Sequence, residues 1–186
     1  MSRFNFIMTP LLDLKIVQRK ILEDNRGFLS RFYCSDEFSE IGLNIKIAQI
    51  NHTLTRKKGM VRGLHFQYPP HAELKLVSCL RGEIWDMAVD LRSDSPTYLQ
   101  WYGEILSAKN NKSFLIPEGF AHGFQTLTCD CELIYLHTKK YHPKSESALN
   151  VLDPSLKIRW PLPVTDLSDR DNNHPFIDDN FEGIVL

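Results

Sequence analysis

Short runs with β-strand character, separated by turn residues, follow one another through most of this chain. They cover residues 14–22, 28–33, 45–54, 76–80, 83–91, 99–106, 112–116, 123–127 and 132–137. Arg81-Gly82 separates two of these runs in the manner of a tight hairpin. Many short strands at this spacing are typical of a β-sandwich, a jelly roll or a barrel, so we predict an all-β protein.

Helical periodicity is scarce. Its clearest instance is residues 35–41, where Ser35 can cap the first turn, acidic residues follow and Gly42 can end the helix. From about residue 139 onward the pattern is irregular and polar, with prolines at 143, 154, 161 and 163. We expect this part to be a C-terminal extension that wraps the β core. A chain of 186 residues fits one domain, 1–186.

Charge and composition argue against several classes of function. Lys and Arg number 22 and Asp and Glu number 23, so the net charge of −1 gives no reason to expect nucleic acid or a membrane surface as a partner. No stretch approaches the roughly 20 apolar residues of a spanning helix, and the N-terminal residues lack the apolar run of a signal peptide. We therefore expect a cytoplasmic protein with reduced cysteines at 34, 79, 129 and 131. A zinc or disulfide role for Cys129 and Cys131 is the weaker alternative.

The predicted strand 83–91 has two faces of different chemistry. One face carries apolar side chains, and the other carries Ile84, Asp86, Ala88 and Asp90. A solvated outer face is the simpler interpretation of the two acids. The alternative is that this polar side lines a ligand cavity inside a barrel. The alternation of a strand does not say which face is inside, so both interpretations stay open.

Side chains suited to chemistry occur in two segments. Arg62 and His65 lie close together, and Lys75 opens the strand after the Pro69-Pro70 turn. Further on, His122 lies among glycines that permit a bulge or a close backbone approach.

A metal site needs three or four convergent ligands. The β region has no His-x-His pair, and Lys75 would place a cation against a metal held by His65 and its neighbours. We therefore predict no metal.

Several motifs follow one another in the order of one enzyme family. They are Arg62-Gly-Leu-His-Phe-Gln, Lys75-Leu-Val, Gly82-Glu-Ile-Trp-Asp-Met-Ala-Val-Asp-Leu-Arg, Ser95-Pro-Thr, Leu106-Ser-Ala, Ile116-Pro-Glu-Gly-Phe-Ala-His-Gly-Phe and Leu167-Ser-Asp-Arg-Asp. From about residue 14 to residue 171 the chain resembles the dTDP-4-dehydrorhamnose 3,5-epimerases of rhamnose synthesis. The resemblance implies a cupin-like antiparallel jelly roll, a homodimer, and catalysis without metal or cofactor. It also implies a substrate made of thymidine diphosphate and a 4-keto-6-deoxyhexose.

The resemblance implies four catalytic residues. A 4-keto group acidifies the hydrogens on carbons 3 and 5, so a base must remove one and an acid must return a proton to the opposite face. His65 matches the family's base, and Asp171 matches the carboxylate that orients it. Tyr135 matches the acid on the other face. Lys75 matches the cation beside the developing enolate oxygen, where a preorganised charge lowers the barrier most.

Further positions match substrate-binding residues of the family. Contacts to the sugar or the nucleotide are implied for Arg62, His122, Gln49, Asn51 and Glu146. Arg26 matches a diphosphate or nucleotide contact that is supplied across the dimer, and Tyr141 matches an aromatic that stacks on the bound nucleotide sugar. Arg170 stands where the family often has lysine, and the two cations differ in hydrogen-bond geometry.

Two positions depart from the family pattern. The usual Arg-Gly-Phe-Phe-Phe-Glu reads here as Arg26-Gly-Phe-Leu-Ser-Arg31, which reverses a charge, and the common Gln two residues before Lys75 is Glu73. These changes leave open another nucleotide, another 4-keto sugar, or epimerisation at a single carbon. The alternative of a different class is a non-catalytic sugar-binding jelly roll. The four catalytic residues together argue against it, since simple binding needs no opposed base and acid.

Overall fold

Almost all strands belong to one of two antiparallel sheets in the computed structural model, which describes residues 2–186. In chain order the elements are β1 (Phe4–Met8), β2 (Lys15–Arg19), β3 (Leu22–Asp24), β4 (Gly27–Leu29), α1 (Ser35–Ser39), β5 (Gln49–Thr55), β6 (Val61–Gln67), β7 (Lys75–Arg81), β8 (Glu83–Asp90), β9 (Trp101–Ser107), β10 (Lys112–Ile116), β11 (Phe120–Thr126), β12 (Cys131–His137), β13 (Glu146–Ala148) and α2 (Asp169–Asn172).

The two sheets lie face to face. One has six strands in the order β1-β2-β10-β7-β12-β5, and the other has five in the order β13-β6-β11-β8-β9. β3 and β4 form a separate two-stranded hairpin. The paired strands all run antiparallel. This is the all-β, cupin-like jelly roll that the sequence predicts. Among residues 2–186, no helix has the length and apolar character that crossing a membrane requires.

Apolar side chains from both sheets meet in the space between them. Val77 and Phe114 of the six-stranded sheet belong to one cluster with Ile84 and Phe124 of the five-stranded sheet. Fully burying a side chain of this kind contributes roughly 1.5–3 kcal/mol. On the outer face of the six-stranded sheet, Phe38 of α1 packs in a second cluster and is fully buried.

The C-terminal extension covers the outer face of the five-stranded sheet. Val151 belongs to the same apolar cluster as Met87 and Val89 of β8. Trp160 is tied to this layer, because its indole N–H donates to the Val151 carbonyl at 2.9 Å and its ring meets Trp85 edge-on with centroids 5.3 Å apart. The extension thereby shields a face of β8 that would otherwise be in water, as the prediction of a wrapped segment requires.

Both faces of β8 are consequently buried, so the solvated-face interpretation of its acids is wrong. Asp86 and Asp90 are each 0% exposed. Asp90 accepts hydrogen bonds from Arg92 and Thr97, which fix the turn after the strand. Asp86 instead points between the sheets, where it contacts His122. The acids are buried because the extension covers one side of β8 and the facing sheet covers the other.

Several predicted boundaries differ from the structure. Residues 14–22 divide into β2 and the start of β3, and the expected strands at 28–33 and 45–54 are shorter, as β4 and β5. Cys34, not Ser35, occupies the N-cap position of α1. β1, β6 and β13 were not predicted. β6 was missed because Arg62, Gly63 and His65 interrupt the apolar alternation that marks a strand.

Two glycines allow the backbones of β6 and β11 to approach each other closely. Gly63 has φ +145°, and a Cβ built on it would lie 2.7 Å from the Cα of Gly123. A Cβ on Gly123 would in turn lie 2.9 Å from the Arg62 carbonyl oxygen. The strand register shifts between His122 and Phe124, so the glycine after His122 marks a bulge, one of the two roles that the sequence suggests.

We expect Gly63→Ala to destabilise the fold for two reasons. An alanine at a positive φ is strained, and backbone atoms that cannot move away occupy the space of its methyl group. The second effect should add about 1–3 kcal/mol to the first. Gly42→Ala is the matched control, since Gly42 also has a positive φ of 83° but nothing lies within 4 Å of the added Cβ. Urea denaturation of both variants measures the difference. Equal midpoints for the two variants would contradict this account of the close strand approach.

Candidate active site

A cavity of about 300 Å³ opens between the two sheets. Nine of the twelve residues that the sequence assigns to catalysis or substrate binding line it: Asn51, Arg62, His65, Lys75, His122, Tyr135, Tyr141, Glu146 and Arg170. They come from both sheets, from the segment between β12 and β13, and from α2. Residues far apart in the chain are thus brought to one place by the closure of the sandwich.

His65 and Asp171 form a hydrogen-bonded pair at one wall of the cavity. Nε2 of His65 lies 2.8 Å from Oδ1 of Asp171. The His65 side chain is 26% exposed, whereas that of Asp171 is 4% exposed. Because a carboxylate is an acceptor, Nε2 carries the proton in this contact, and the other ring nitrogen, Nδ1, keeps its lone pair.

The short helix α2 positions Asp171. The hydroxyl of Ser168, at the N-cap, accepts a hydrogen bond from the Asp171 backbone N–H at 3.0 Å, and this cap turns the carboxylate inward. Burial by itself would raise the pKa of Asp171. The hydrogen bond from His65, the charge of His65, the backbone N–H of Gly63 and the Arg170 cation together outweigh burial and lower this pKa. Asp171 is therefore ionised and can stabilise a positive charge on the imidazole.

Arg170 lies next to the pair on the solvent side. Its Nη2 is 3.1 Å from Nε2 of His65, a contact that is not a hydrogen bond when Nε2 donates to Asp171, and its Nη1 donates to Oε1 of Glu146 at 3.2 Å. His65, Asp171 and His174 each offer one atom that could bind a metal ion, and these three atoms lie within 4.8 Å of one another. The guanidinium beside the same imidazole nitrogen places a positive charge where such a cation would sit, so these residues fit an ion-paired site better than a metal site.

Tyr135 faces the His65–Asp171 pair from the other sheet. It belongs to β12 of the six-stranded sheet, whereas His65 belongs to β6 of the five-stranded sheet. Burial, followed by the nearby Asp86 charge, raises the pKa of the Tyr135 phenol well above its usual value. The hydroxyl therefore keeps its proton at neutral pH, so the resting Tyr135 can donate a proton but cannot accept one.

Lys75 is a buried cation in the cavity with a carboxylate next to it. Its Nζ lies 3.3 Å from Oε1 of Glu73 and donates to the His65 backbone carbonyl at 3.2 Å. Oε2 of Glu73 lies 3.1 Å from Nδ1 of His137. Burial would raise the pKa of Glu73, but His137 and Lys75 hold it below its usual value. The Glu73 departure thus adds a negative charge that pairs with two cavity residues.

A second carboxylate–histidine contact lies behind the cavity wall, because His122 lines the cavity and Asp86 does not. Nε2 of His122 is 2.7 Å from Oδ1 of Asp86, and Oδ2 of Asp86 has no hydrogen-bond partner among residues 2–186. Burial raises the pKa of Asp86 despite the opposing effects of His122 and Lys75. The sequence showed Asp86 only as one member of an ambiguous strand face.

The rim of the cavity is held by a chain of hydrogen bonds. The backbone N–H of Tyr141 donates to Oε1 of Gln49 at 3.0 Å, and the Gln49 amide donates to Oδ1 of Asn51 at 3.1 Å. The Tyr141 hydroxyl donates to Oε2 of Glu146 at 2.8 Å. Gln49 therefore supports the cavity wall without lining it.

Arg26 lies apart from this cavity. It is in the β3–β4 hairpin, its side chain is 84% exposed, and its Nη2 contacts Asp24 at 2.6 Å. The single chain does not bring Arg26 to the other site residues. The reversed charge at Arg31 is also outside the cavity, where its Nη1 pairs with Glu37 at 2.7 Å.

Sequence reasoning missed three polar residues of the cavity: Thr53, which lies two positions after Asn51 on β5, Gln67 and His137. His137 lies two positions after Tyr135 on β12, and Gln67 lies two positions after His65 on β6, so each shares a strand face with a predicted catalytic residue. That alternation is the signal that could have found them. Together the residues can accept a proton on one side of a bound ring, donate one on the other, and stabilise negative charge between.

Comparisons with known proteins identify the family of this chain. The profile of the dTDP-4-dehydrorhamnose 3,5-epimerase family matches residues 8–179. An enzyme of that name from Shigella flexneri is 40% identical over 179 residues, which cover 95% of this chain and 98% of the relative.

Two solved structures are similar in fold. The dTDP-4-dehydrorhamnose 3,5-epimerase of Bacillus anthracis, with TDP and PPi bound, gives a TM-score of 0.91 at 37% identity and covers 94% of this chain and 99% of its own. The dTDP-6-deoxy-D-glucose-3,5-epimerase of Legionella pneumophila, in complex with dTDP-4-keto-L-rhamnose, gives a TM-score of 0.89 at 42% identity and covers 93% and 92%. The chain therefore belongs to the dTDP-4-dehydrorhamnose 3,5-epimerase family and is an isomerase.

Proposed function

We propose that this chain inverts carbons 3 and 5 of a dTDP-linked 4-keto-6-deoxyhexose in rhamnose-type deoxysugar synthesis. The observation that carries the proposal is the opposition of two groups across one cavity. A hydrogen-bonded His65–Asp171 pair lies at one sheet, and a buried, protonated Tyr135 lies at the other. A sugar ring held between them would meet a base on one face and an acid on the other.

His65 acts as the base in this proposal. The neutral imidazole takes a proton from the carbon next to the keto group, and the electrons of the C–H bond move to form an enolate. Asp171 stabilises the imidazolium that results, since their atoms are 2.8 Å apart and the carboxylate is ionised. The pairing also holds the ring in one orientation, which a positioned base requires.

Tyr135 then returns a proton to the opposite face of the same carbon, which inverts it. The phenol starts protonated because it is buried. The imidazolium gives up its proton and the phenolate regains one from solvent, so the enzyme returns to its initial state. The cycle consumes no cofactor, and no metal takes part in it.

Lys75 stabilises the enolate oxygen, and His122 contacts the sugar next to it. Both line the cavity, and both are mostly buried, at 7% and 6% exposure. A cation or a donor fixed in a site of low dielectric lowers the barrier more than it would in water. Glu73 balances Lys75 before the substrate arrives, and this pairing prevents an unpaired buried charge.

The remaining cavity residues bind the substrate in this proposal. Arg62 and Asn51 contact the sugar, and Glu146 and Arg170 contact the substrate from β13 and α2. Tyr141 stacks on the nucleotide sugar. Tyr141 is 51% exposed at the rim, which leaves its ring free for such stacking. Gln49 supports this wall through its bonds to Tyr141 and Asn51.

We further propose that the working enzyme is a homodimer in the cytoplasm. The β3–β4 hairpin carries Phe28 and Leu29, each 68% exposed, and β5 is an edge strand that exposes Ile50 by 60%. Exposed apolar groups of this kind favour cover by another chain. A hairpin that reaches a second copy would bring Arg26 to that copy's nucleotide. The cysteines are free thiols, as expected in a reducing compartment.

A single-carbon epimerase acting on another nucleotide 4-keto sugar is the second candidate. The observation that favours it is Glu73, whose carboxylate lies in the cavity beside Lys75. A carboxylate there would favour a sugar with a hydroxyl that can donate to it. A panel of nucleotide 4-keto sugars, followed by NMR, distinguishes the two candidates.

We expect His65→Ala and Tyr135→Phe to fail in different ways. Without the base no proton leaves, so His65→Ala should slow deuterium incorporation from heavy water by about 10²–10⁴-fold at both carbons. Tyr135→Phe keeps the base, so exchange should persist while the inverted product falls. One NMR time course per variant measures both quantities, with folding checked by circular dichroism. Exchange at the wild-type rate in His65→Ala would show that His65 is not the base.

We expect sedimentation to give twice the chain mass of 21.6 kDa for the wild type. Phe28→Asp with Leu29→Asp should shift the mass toward one chain, because charge on the hairpin disfavours its burial against a second copy. Phe176→Asp is the control, since Phe176 is also exposed, at 56%, but lies on the C-terminal extension. A monomeric wild type would contradict the proposed dimer.

A further inference from the structure

His174 does not line the cavity, but it contacts the proposed catalytic pair of His65 and Asp171. Its Nε2 lies 3.6 Å from Oδ1 of Asp171, the same oxygen that contacts His65. Its ring meets the His65 ring edge-on, with centroids 5.9 Å apart and an interplanar angle of 80°. Asp171 therefore lies between two histidines, of which only His65 reaches the cavity.

The position of His174 is fixed by the fold. The buried Asn150 donates through its side-chain amide to the backbone carbonyls of Asn172 and His174, at 3.2 and 3.1 Å. The Asn150 backbone N–H donates to the Pro175 carbonyl at 3.0 Å. Three bonds from one residue thus hold the turn that follows α2, and the His174 ring cannot easily leave Asp171.

The chemistry of this contact assigns the His174 proton. Nε2 is buried and has no hydrogen-bond partner within normal distance among residues 2–186. Two acceptors would repel each other at this separation, so Nε2 carries hydrogen and directs it at the carboxylate. Burial, with the His65 charge, lowers the pKa of His174, so its ring stays neutral. Hydrogen bonds at unliganded sites are often long and tighten when substrate binds.

We propose that His174 is a positioning residue of the base: its Nε2–H shares Oδ1 of Asp171 with His65 and thereby limits how strongly the carboxylate favours the imidazolium form of His65. The inference rests on the proposed role of His65 as base. If Asp171 had no second histidine beside it, it would favour the imidazolium form of His65 more strongly. His65 would then stay protonated up to a higher pH, and a smaller fraction of it would be neutral and able to accept a proton from the sugar.

Other charged groups also face this cluster and are the same in every variant considered. Arg170 places Nε 3.7 Å from Oδ1 of Asp171. Glu146 pairs with Arg170, and Lys75 donates to the His65 backbone from β7. Differences between variants at position 174 therefore report the His174 contact itself.

The test compares His174→Phe with His174→Gln in the pH profile of kcat/KM. Phenylalanine keeps the edge-on ring packing but has no donor, so the acid limb should move to higher pH by about 0.5–1 unit, the size expected for one neutral hydrogen bond. Glutamine offers an amide N–H, so its acid limb should stay at the wild-type position. Acid limbs that coincide for the wild type and the Phe variant would overturn the inference.

A second measurement uses the unmodified protein, so it does not depend on a variant that folds. Long-range ¹H–¹⁵N spectra of the imidazole rings should show His174 with its hydrogen on Nε2. A hydrogen on Nδ1 would overturn the inference. Failure of the proposed function is distinguishable: it would appear as exchange in His65→Ala, or as no exchange in the wild type, whatever residue is at position 174.

Discussion

Charged groups buried between two β-sheets need partners, and this requirement organises the whole molecule. Removing a charge from water without a partner costs several kcal/mol, more than one apolar contact provides. The cavity meets the requirement pairwise: Asp171 contacts His65, Asp86 contacts His122, and Glu73 contacts Lys75. Two of the pairs join side chains that are distant in the chain, and Tyr135 comes from the facing sheet, so the complete set of residues meets only when the two sheets pack together.

These pairings also separate the roles of the site. The ionised Asp171 favours positive charge on the imidazole beside it, whereas burial near Asp86 keeps the Tyr135 phenol protonated. In the proposed mechanism one wall accepts a proton while the opposite wall donates one. The β-sandwich supplies the separation between the two walls that inversion of a carbon requires.

Much of this was predictable from the sequence, and the misses have physical causes. Strand spacing predicted the all-β class, and ordered motifs predicted the family and the residues that line the cavity. The inward direction of Asp86 was not predictable, because it depends on the extension that covers the other face of β8. His174 was missed for a similar reason, since only the turn after α2 brings its ring to Asp171. The proposed place of Arg26 depends on a second copy of the chain.

The most direct test of the central claim is an NMR time course of the wild-type enzyme in heavy water with dTDP-4-keto-6-deoxyglucose. The account predicts deuterium at both carbon 3 and carbon 5, together with formation of the inverted sugar and no requirement for added metal. Absence of deuterium at either carbon, with the protein folded and the nucleotide sugar bound, would contradict it.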